Sequence, residues 1–189
     1  MNWFLASQCL FYYLYRSKAE SNNFTKLWNV FFLLFSFSTF FGGLSHLLFH
    51  YTGLQGKIPG WGTAVIAISC IEWAIASKIS EPGRRNLNLL IWIKLVITFL
   101  TLLWDLHFKW VMIHTGVGLI LILGIWSIIS LRNGKESSKF FLWGIAWAIA
   151  PLPVRIFEID LHDWFNRDDI SHLFMLISIY FFHRGVQNS

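Results

Sequence analysis

Apolar stretches approaching about 20 residues, almost free of charge, recur along this chain and constrain its fold more than any other feature. A helix needs about 20 apolar residues to cross the hydrocarbon core of a bilayer. Inside that core only helices and closed barrels satisfy every backbone N–H and C=O. The runs are Asn2 to Tyr15, Leu27 to His50, Trp61 to Ile79, Leu87 to Trp104, Trp110 to Leu131, Phe140 to about Val154, and Asp168 to His183. Charged residues make up 13% of the chain, against about 25% in a soluble domain. The mean hydropathy of +0.55 agrees. The expected fold is all-α: a polytopic membrane protein forming one seven-transmembrane-helix bundle over residues 1–189.

The first run is short for a span, but no basic region precedes it and no small-x-small cleavage site follows it, so it reads as a retained helix and not a signal peptide. Orientation follows from Lys and Arg placement. Arg16, Lys18, Lys26, Lys78, Arg84, Arg85, Arg132, Lys135, Lys139 and Arg184 fall on one side. The other side holds Lys57, Lys109, Arg155 and Arg167. This asymmetry predicts the N-terminus outside and the C-terminus in the cytoplasm, with a bacterial inner membrane as the expected location. The net charge of +5 is dispersed singly over short loops, so no nucleic-acid partner is expected. Cys9 and Cys70 both lie inside apolar runs and read as packing residues.

Two pairs of polar residues carry the chemical expectation. His46 and His50 are four apart at the end of the second run, and Asp168 and His172 repeat that spacing at the start of the last. On a helix such pairs share one face. Two His from one helix with Asp and His from another would suit four-coordinate zinc, or another divalent transition metal. The competing reading is hydrogen bonding between helices. Asp168 and Asp169 also suit a helix first turn, where the dipole favours acids and Asn166 could cap. Asp105 or Asp169 is the candidate general base. Glu72 and Lys94 lie at similar depth on adjacent antiparallel runs and are expected to form a structural ion pair. Arg155 could clamp an anionic headgroup of a membrane lipid, the expected partner. Trp3, Trp28, Trp61, Trp104, Trp110 and Trp164 read as an interfacial belt. Gly42 and Gly43 would permit close helix approach.

Two patterns look familiar: Gly42-Gly43 with His46, and Phe165, Asn166, Asp168, Asp169 and His172 followed by Tyr180, Arg184 and Gly185. Together they resemble an uncharacterised family of small seven-helix membrane proteins. More distantly, the layout resembles the alkaline ceramidase and adiponectin receptor superfamily, whose seven-helix bundles hold zinc within the membrane and cleave lipid amides. Phe49 and His50 match the Phe-His that ends the second helix there, and His172 and Tyr180 match positions in the last helix. Departures are His46 where a Ser is expected, Asp168 where the first His of the last pair is expected, and the absence of an acid between His50 and Glu72. The resemblance implies a metal-dependent hydrolase of a lipid amide or ester. The alternative is a non-enzymatic transporter or sensor that binds an ion or proton at the same His/Asp cluster. A haem electron carrier is a third class, disfavoured because i, i+4 His pairs at one face do not suggest the usual axial arrangement.

Overall fold

The computed structural model describes residues 1–16, 22–157, 159–162 and 167–189, apart from the Arg155 side chain. Seven principal helices account for most of them, and no strand occurs among the described residues. They are α1 (Asn2–Arg16), α2 (Asn23–Leu47), α3 (Phe49–Ala76), α4 (Gly83–Trp104), α5 (Lys109–Arg132), α6 (Ser138–Ile149) and α7 (Arg167–Gln187). Four of these, α2 to α5, are long and apolar enough to cross a membrane.

Local chemistry explains several boundaries, and some depart from the sequence reading. Asn22 caps α2, its side chain accepting the Thr25 N–H at 3.0 Å. The Gly- and Pro-containing stretch between the second and third apolar runs is helical: Gly53–Lys57 forms a 3-10 turn that runs directly into Ile58–Ala76. Pro59 is tolerated because it falls in the first turn, where its missing N–H has no helical partner to lose. Residues Val117–Gly124 of α5 wind as a π-helix. Helix α6 stops at Ile149, ahead of Pro151, and a separate short turn covers Leu152–Ile156.

Each helix packs on the next in chain order, and α7 returns to α1, closing a ring. Helix α3 also packs across the ring on α5. Hydroxyls bond between neighbours at close crossings: Ser36 donates to the Ala6 carbonyl and Ser38 to the Gly60 carbonyl, each at 2.8 Å. Between α6 and α7, Gly144 abuts the Phe182 ring and Gly185 the Phe141 ring, and Ser178 donates to the Gly144 carbonyl at 2.8 Å. Small residues and interhelical hydrogen bonds of this kind hold helices together where lipid removes the usual hydrophobic drive.

The main core is aromatic. Trp28 stacks on Phe141 at 5.3 Å between ring centres and lies 5.6 Å from Phe182. Trp28 is fully buried, so its assignment to the interfacial belt is corrected, whereas Trp3 and Trp104 are exposed as expected. Helix α4 turns Leu89, Trp92, Val96, Leu100 and Leu103 outward. A continuous apolar exterior of this extent suits lipid contact. A smaller core of Val65, Leu95, Leu102 and Val111 joins α3, α4 and α5, close to the buried Glu72 and His114.

Candidate functional site

Three helical stripes converge beside that smaller core. On α3, Val65, Ser69 and Glu72 follow i, i+4, i+7 spacing; on α4, Lys94, Thr98 and Thr101 repeat it; on α5, Val111, His114 and Gly118 follow i, i+3, i+7. Each set lies on one face of its helix. Where the three faces meet lies a charged and polar network in which Glu72 is 0% exposed and His114 is 1% exposed, while Lys94 is half-buried.

Lys94 is its hub. Its Nζ is ion-paired with Glu72 Oε1 and also donates to the His114 carbonyl at 3.1 Å. The His114 ring is held at both nitrogens, Nε2 to Ser69 Oγ at 3.3 Å and Nδ1 to Thr98 Oγ1 at 3.0 Å. Thr98 in turn donates to the Lys94 carbonyl at 2.8 Å. With its one O–H given to the Lys94 carbonyl, Thr98 Oγ1 can only accept from His114 Nδ1–H, which leaves Nε2 to accept from the Ser69 hydroxyl in the neutral ring. Glu72 Oε2 is buried without a hydrogen-bond partner among the described residues.

Gly118 makes this contact possible. A Cβ there would stand 2.5 Å from Ile68 Cγ2 and 2.7 Å from Glu72 Oε1. It belongs to the π-helical segment, a geometry that recurs at functional sites because it re-aims side chains within an otherwise regular helix.

The proposed ligands lie elsewhere. His46 is exposed near the C-terminal end of α2 and His50 is exposed in the turn Phe49–Thr52 that follows. Leu48 between them departs from helical backbone, with φ −98° and ψ 9°, so the uninterrupted helix assumed for the i, i+4 pair is not formed. His172 Nδ1 donates to the Asp168 carbonyl at 2.5 Å, a bond within its own helix turn. Asp169 faces the amino group of Met1 at 3.6 Å. Among the described residues, no three His, Cys, Asp or Glu side chains are grouped to hold a metal ion. Gly43 is occupied by α1 and not by a ligand-bearing helix: a Cβ there would stand 2.6 Å from Trp3 Nε1.

Asp105 closes α4 and is engaged locally, accepting from Lys109 Nζ at 2.6 Å and Trp110 Nε1 at 3.2 Å. The Lys109 contact holds its carboxyl below the usual range. The Arg155 side chain and the Asn166 cap lie outside the described residues.

Sequence reasoning missed Ser69, Thr98, His114 and Gly118. By linear position His114 falls close to the turn between α4 and α5. The available signal was the helical register of Ser69 with Glu72 and of Thr98 with Lys94. A second buried histidine was also missed: His183 stacks on Tyr12, with ring centres 3.9 Å apart, and its Nε2 has no hydrogen-bond partner among the described residues.

No curated protein and no solved structure matches the chain, so neither kind of comparison supports the ceramidase-like resemblance. A family model does match, from the first residue to the last. Over residues 1–189 the chain belongs to a family of unknown function, DUF6962.

Proposed function

We propose that this protein is a non-enzymatic membrane transporter or sensor that binds and releases a proton at the Glu72–Lys94–His114 network. The observation that carries this reading is Glu72: a wholly buried carboxyl with one oxygen on Lys94 and the other without a partner among the described residues. Ionisable groups inside membrane helices are costly and mark ion pathways, proton relays or ligand counter-ions. A purely structural pair has reason to satisfy both oxygens. Here the second oxygen is left over, while His114, a group able to carry a proton, is joined to the same lysine through its carbonyl. This proton site lies in the interior of the bundle, away from His46, His50, Asp168 and His172 at the helix ends. The zinc-hydrolase reading rests on sequence spacing and on the remote resemblance alone.

In this reading all seven helices span the bilayer, with the N-terminus outside, the C-terminus cytoplasmic and membrane lipid around the bundle. The Lys and Arg asymmetry supports that orientation.

The test uses a reporter beside the network. Trp73 follows Glu72 on α3 and packs on Trp92 of α4 with ring centres 5.1 Å apart. Tryptophan emission of the protein in lipid nanodiscs is followed through a pH titration, and the contribution of this pair is isolated by Trp73→Phe. A reversible change carried by the pair and abolished by Glu72→Gln is expected. An unchanged titration in Glu72→Gln, or a flat wild-type profile, would refute the reading.

A further inference from the structure

The surroundings of Glu72 differ between the two directions along the bundle. One helical turn from Glu72, Lys94 and Gly118 toward Asp105, the same three faces carry Ser69, Thr98 and His114. A turn further they carry Val65, Thr101 with Leu102, and Val111. Next comes Asp105, part-exposed and held by Lys109 Nζ at 2.6 Å and Trp110 Nε1 at 3.2 Å. Polar groups therefore run from the buried network to the surface along one face of α4: Lys94, Thr98, Thr101 and Asp105 follow i, i+4, i+7, i+11 spacing. That stretch of helix is roughly 16 Å long at about 1.5 Å per residue.

The opposite direction is apolar. One turn that way the three faces carry Ile75 with Ala76, Ile91 and Ile122. Ile75, Ala76 and Ile91 are each 1% exposed. A second turn brings Ile79, Leu87 and Trp126. Among these residues there is no hydroxyl, amide or charged group, so two successive layers offer a proton no oxygen to rest on. A hydroxyl or an imidazole can both accept and donate, and a charge in an apolar layer without a hydrogen-bond partner is costly.

Toward Asp105 the first layer is already hydrogen-bonded, because Ser69 and Thr98 hold both ring nitrogens of His114. The second layer is closed in this conformation by Val65, Leu102 and Val111, all buried. Thr101 stands beside them, half-buried, with its hydroxyl on the Ile97 and Thr98 carbonyls at 2.9 and 3.0 Å and its oxygen left to accept. One apolar layer thus separates His114 from Asp105, against two in the other direction. Lys94 from α4 and His114 from α5 are the charged and titratable groups around Glu72. Helix α2 also packs on α3, but its Lys26 and His46 are exposed.

Building on the proton-binding reading above, we propose that Glu72 exchanges its proton with water at the Asp105 end of the bundle alone, past His114, Thr98 and Thr101, with Val65, Leu102 and Val111 as the gate. On uptake a proton leaves water at that end and forms an O–H bond on the Glu72 carboxylate, leaving a neutral carboxyl beside the Lys94 ammonium. On release that bond breaks and the proton returns to the same water.

A pH jump on one side of a sealed membrane tests the route. The full-length protein is reconstituted into liposomes with unequal numbers of molecules facing each way. Labelling of His107→Cys and of Lys135→Cys with a membrane-impermeant maleimide gives the fraction with each end outward. The external pH is changed by stopped-flow mixing while the emission of the Trp73–Trp92 pair is followed against Trp73→Phe, and a protonophore then equilibrates the interior. The expected immediate amplitude equals the fraction with residue 107 outward, and the remainder follows the protonophore. Thr101→Val should slow the immediate phase about fivefold, the factor that one hydrogen bond is worth. An immediate amplitude equal to the fraction with residue 135 outward overturns the proposal. So does the full amplitude before protonophore, or a wild-type rate in Thr101→Val. The sidedness measurement decides the matter even if Thr101→Val fails to fold. A wild type with no pair-dependent change after protonophore refutes the proton site, and the route falls with it. A complete change with the wrong sidedness removes the route and leaves the site standing.

Discussion

Removing Lys94 should damage this protein more than removing Glu72, and removing both should damage it less than removing Lys94 alone. Lys94→Met takes away one ammonium that serves two acceptors, Glu72 Oε1 and the His114 carbonyl. Glu72 is then wholly buried with neither oxygen bonded by a side chain among the described residues. Breaking one partner out of a buried pair costs about 3–5 kcal/mol, while the His114 carbonyl keeps the Val117 backbone N–H. Glu72→Gln is milder. Lys94 is 19% exposed at its side chain, keeps the His114 carbonyl, and can still donate to the Gln amide oxygen. A loss of about 1–3 kcal/mol is expected for that variant. In Glu72→Gln/Lys94→Met no buried charge remains, so the double variant should recover at least about 1 kcal/mol relative to Lys94→Met, the range in which contacting residues couple. Reversible unfolding in mixed detergent micelles, followed by circular dichroism, measures all four proteins. A double variant no more stable than Lys94→Met would show that the two side chains are not energetically coupled, and the account of the network would fail.

Gly118→Ala should destabilise by about 1–3 kcal/mol, because the new Cβ meets Ile68 and Glu72. Gly116→Ala, which opens onto free space, should be neutral or stabilising by about 0.5–1 kcal/mol; melting curves that rank the pair the other way would refute the close approach. Asp160 accepts the Arg167 N–H at 2.7 Å and its guanidinium at 3.1 Å, and the backbone bond in particular holds its carboxyl below the usual range. A depressed carboxyl contributes stability above its unfolded value, near about 3.9, and loses it as pH falls through the folded value. Protection of the Arg167 amide, taken against its intrinsic exchange rate at each pH, should therefore fall on acidification below about pH 4 in the wild type and already be low in Asp160→Asn; pH-independent protection would contradict the clasp. Cysteines placed at residues 57 and 135 should label from opposite sides of the membrane, with little background from buried Cys9 and Cys70; labelling from one side would contradict the seven-span orientation. Elemental analysis should find no stoichiometric zinc that depends on His50 and His172. One equivalent lost in both His50→Ala and His172→Ala would restore the metal-hydrolase reading.

The helices were legible because each run is long, apolar and bounded by charge, turn residues or proline. The pairing of Glu72 with Lys94 could be anticipated because buried charges need partners and the two occupy similar depths. His114 was harder. Its linear neighbours belong to a turn, and only the convergence of three helical faces shows that it sits against Lys94. The π-helical turn is invisible to an α-helical register, so the role of Gly118 was hidden too. His46 and His50 failed differently. Four-residue spacing puts side chains together only on an unbroken helix, and the change of backbone at Leu48 intervenes.

The most direct measurement is a pH-induced infrared difference spectrum of the protein in lipid, read at the carboxylic-acid C=O stretch. If Glu72 exchanges a proton inside the bundle, a protonated-carboxyl band should rise and fall reversibly with pH. It should vanish in Glu72→Gln and persist in Asp105→Asn and Asp160→Asn. A band that survives unchanged in Glu72→Gln, or no titrating band over the whole pH range in which the protein stays folded, would contradict the account.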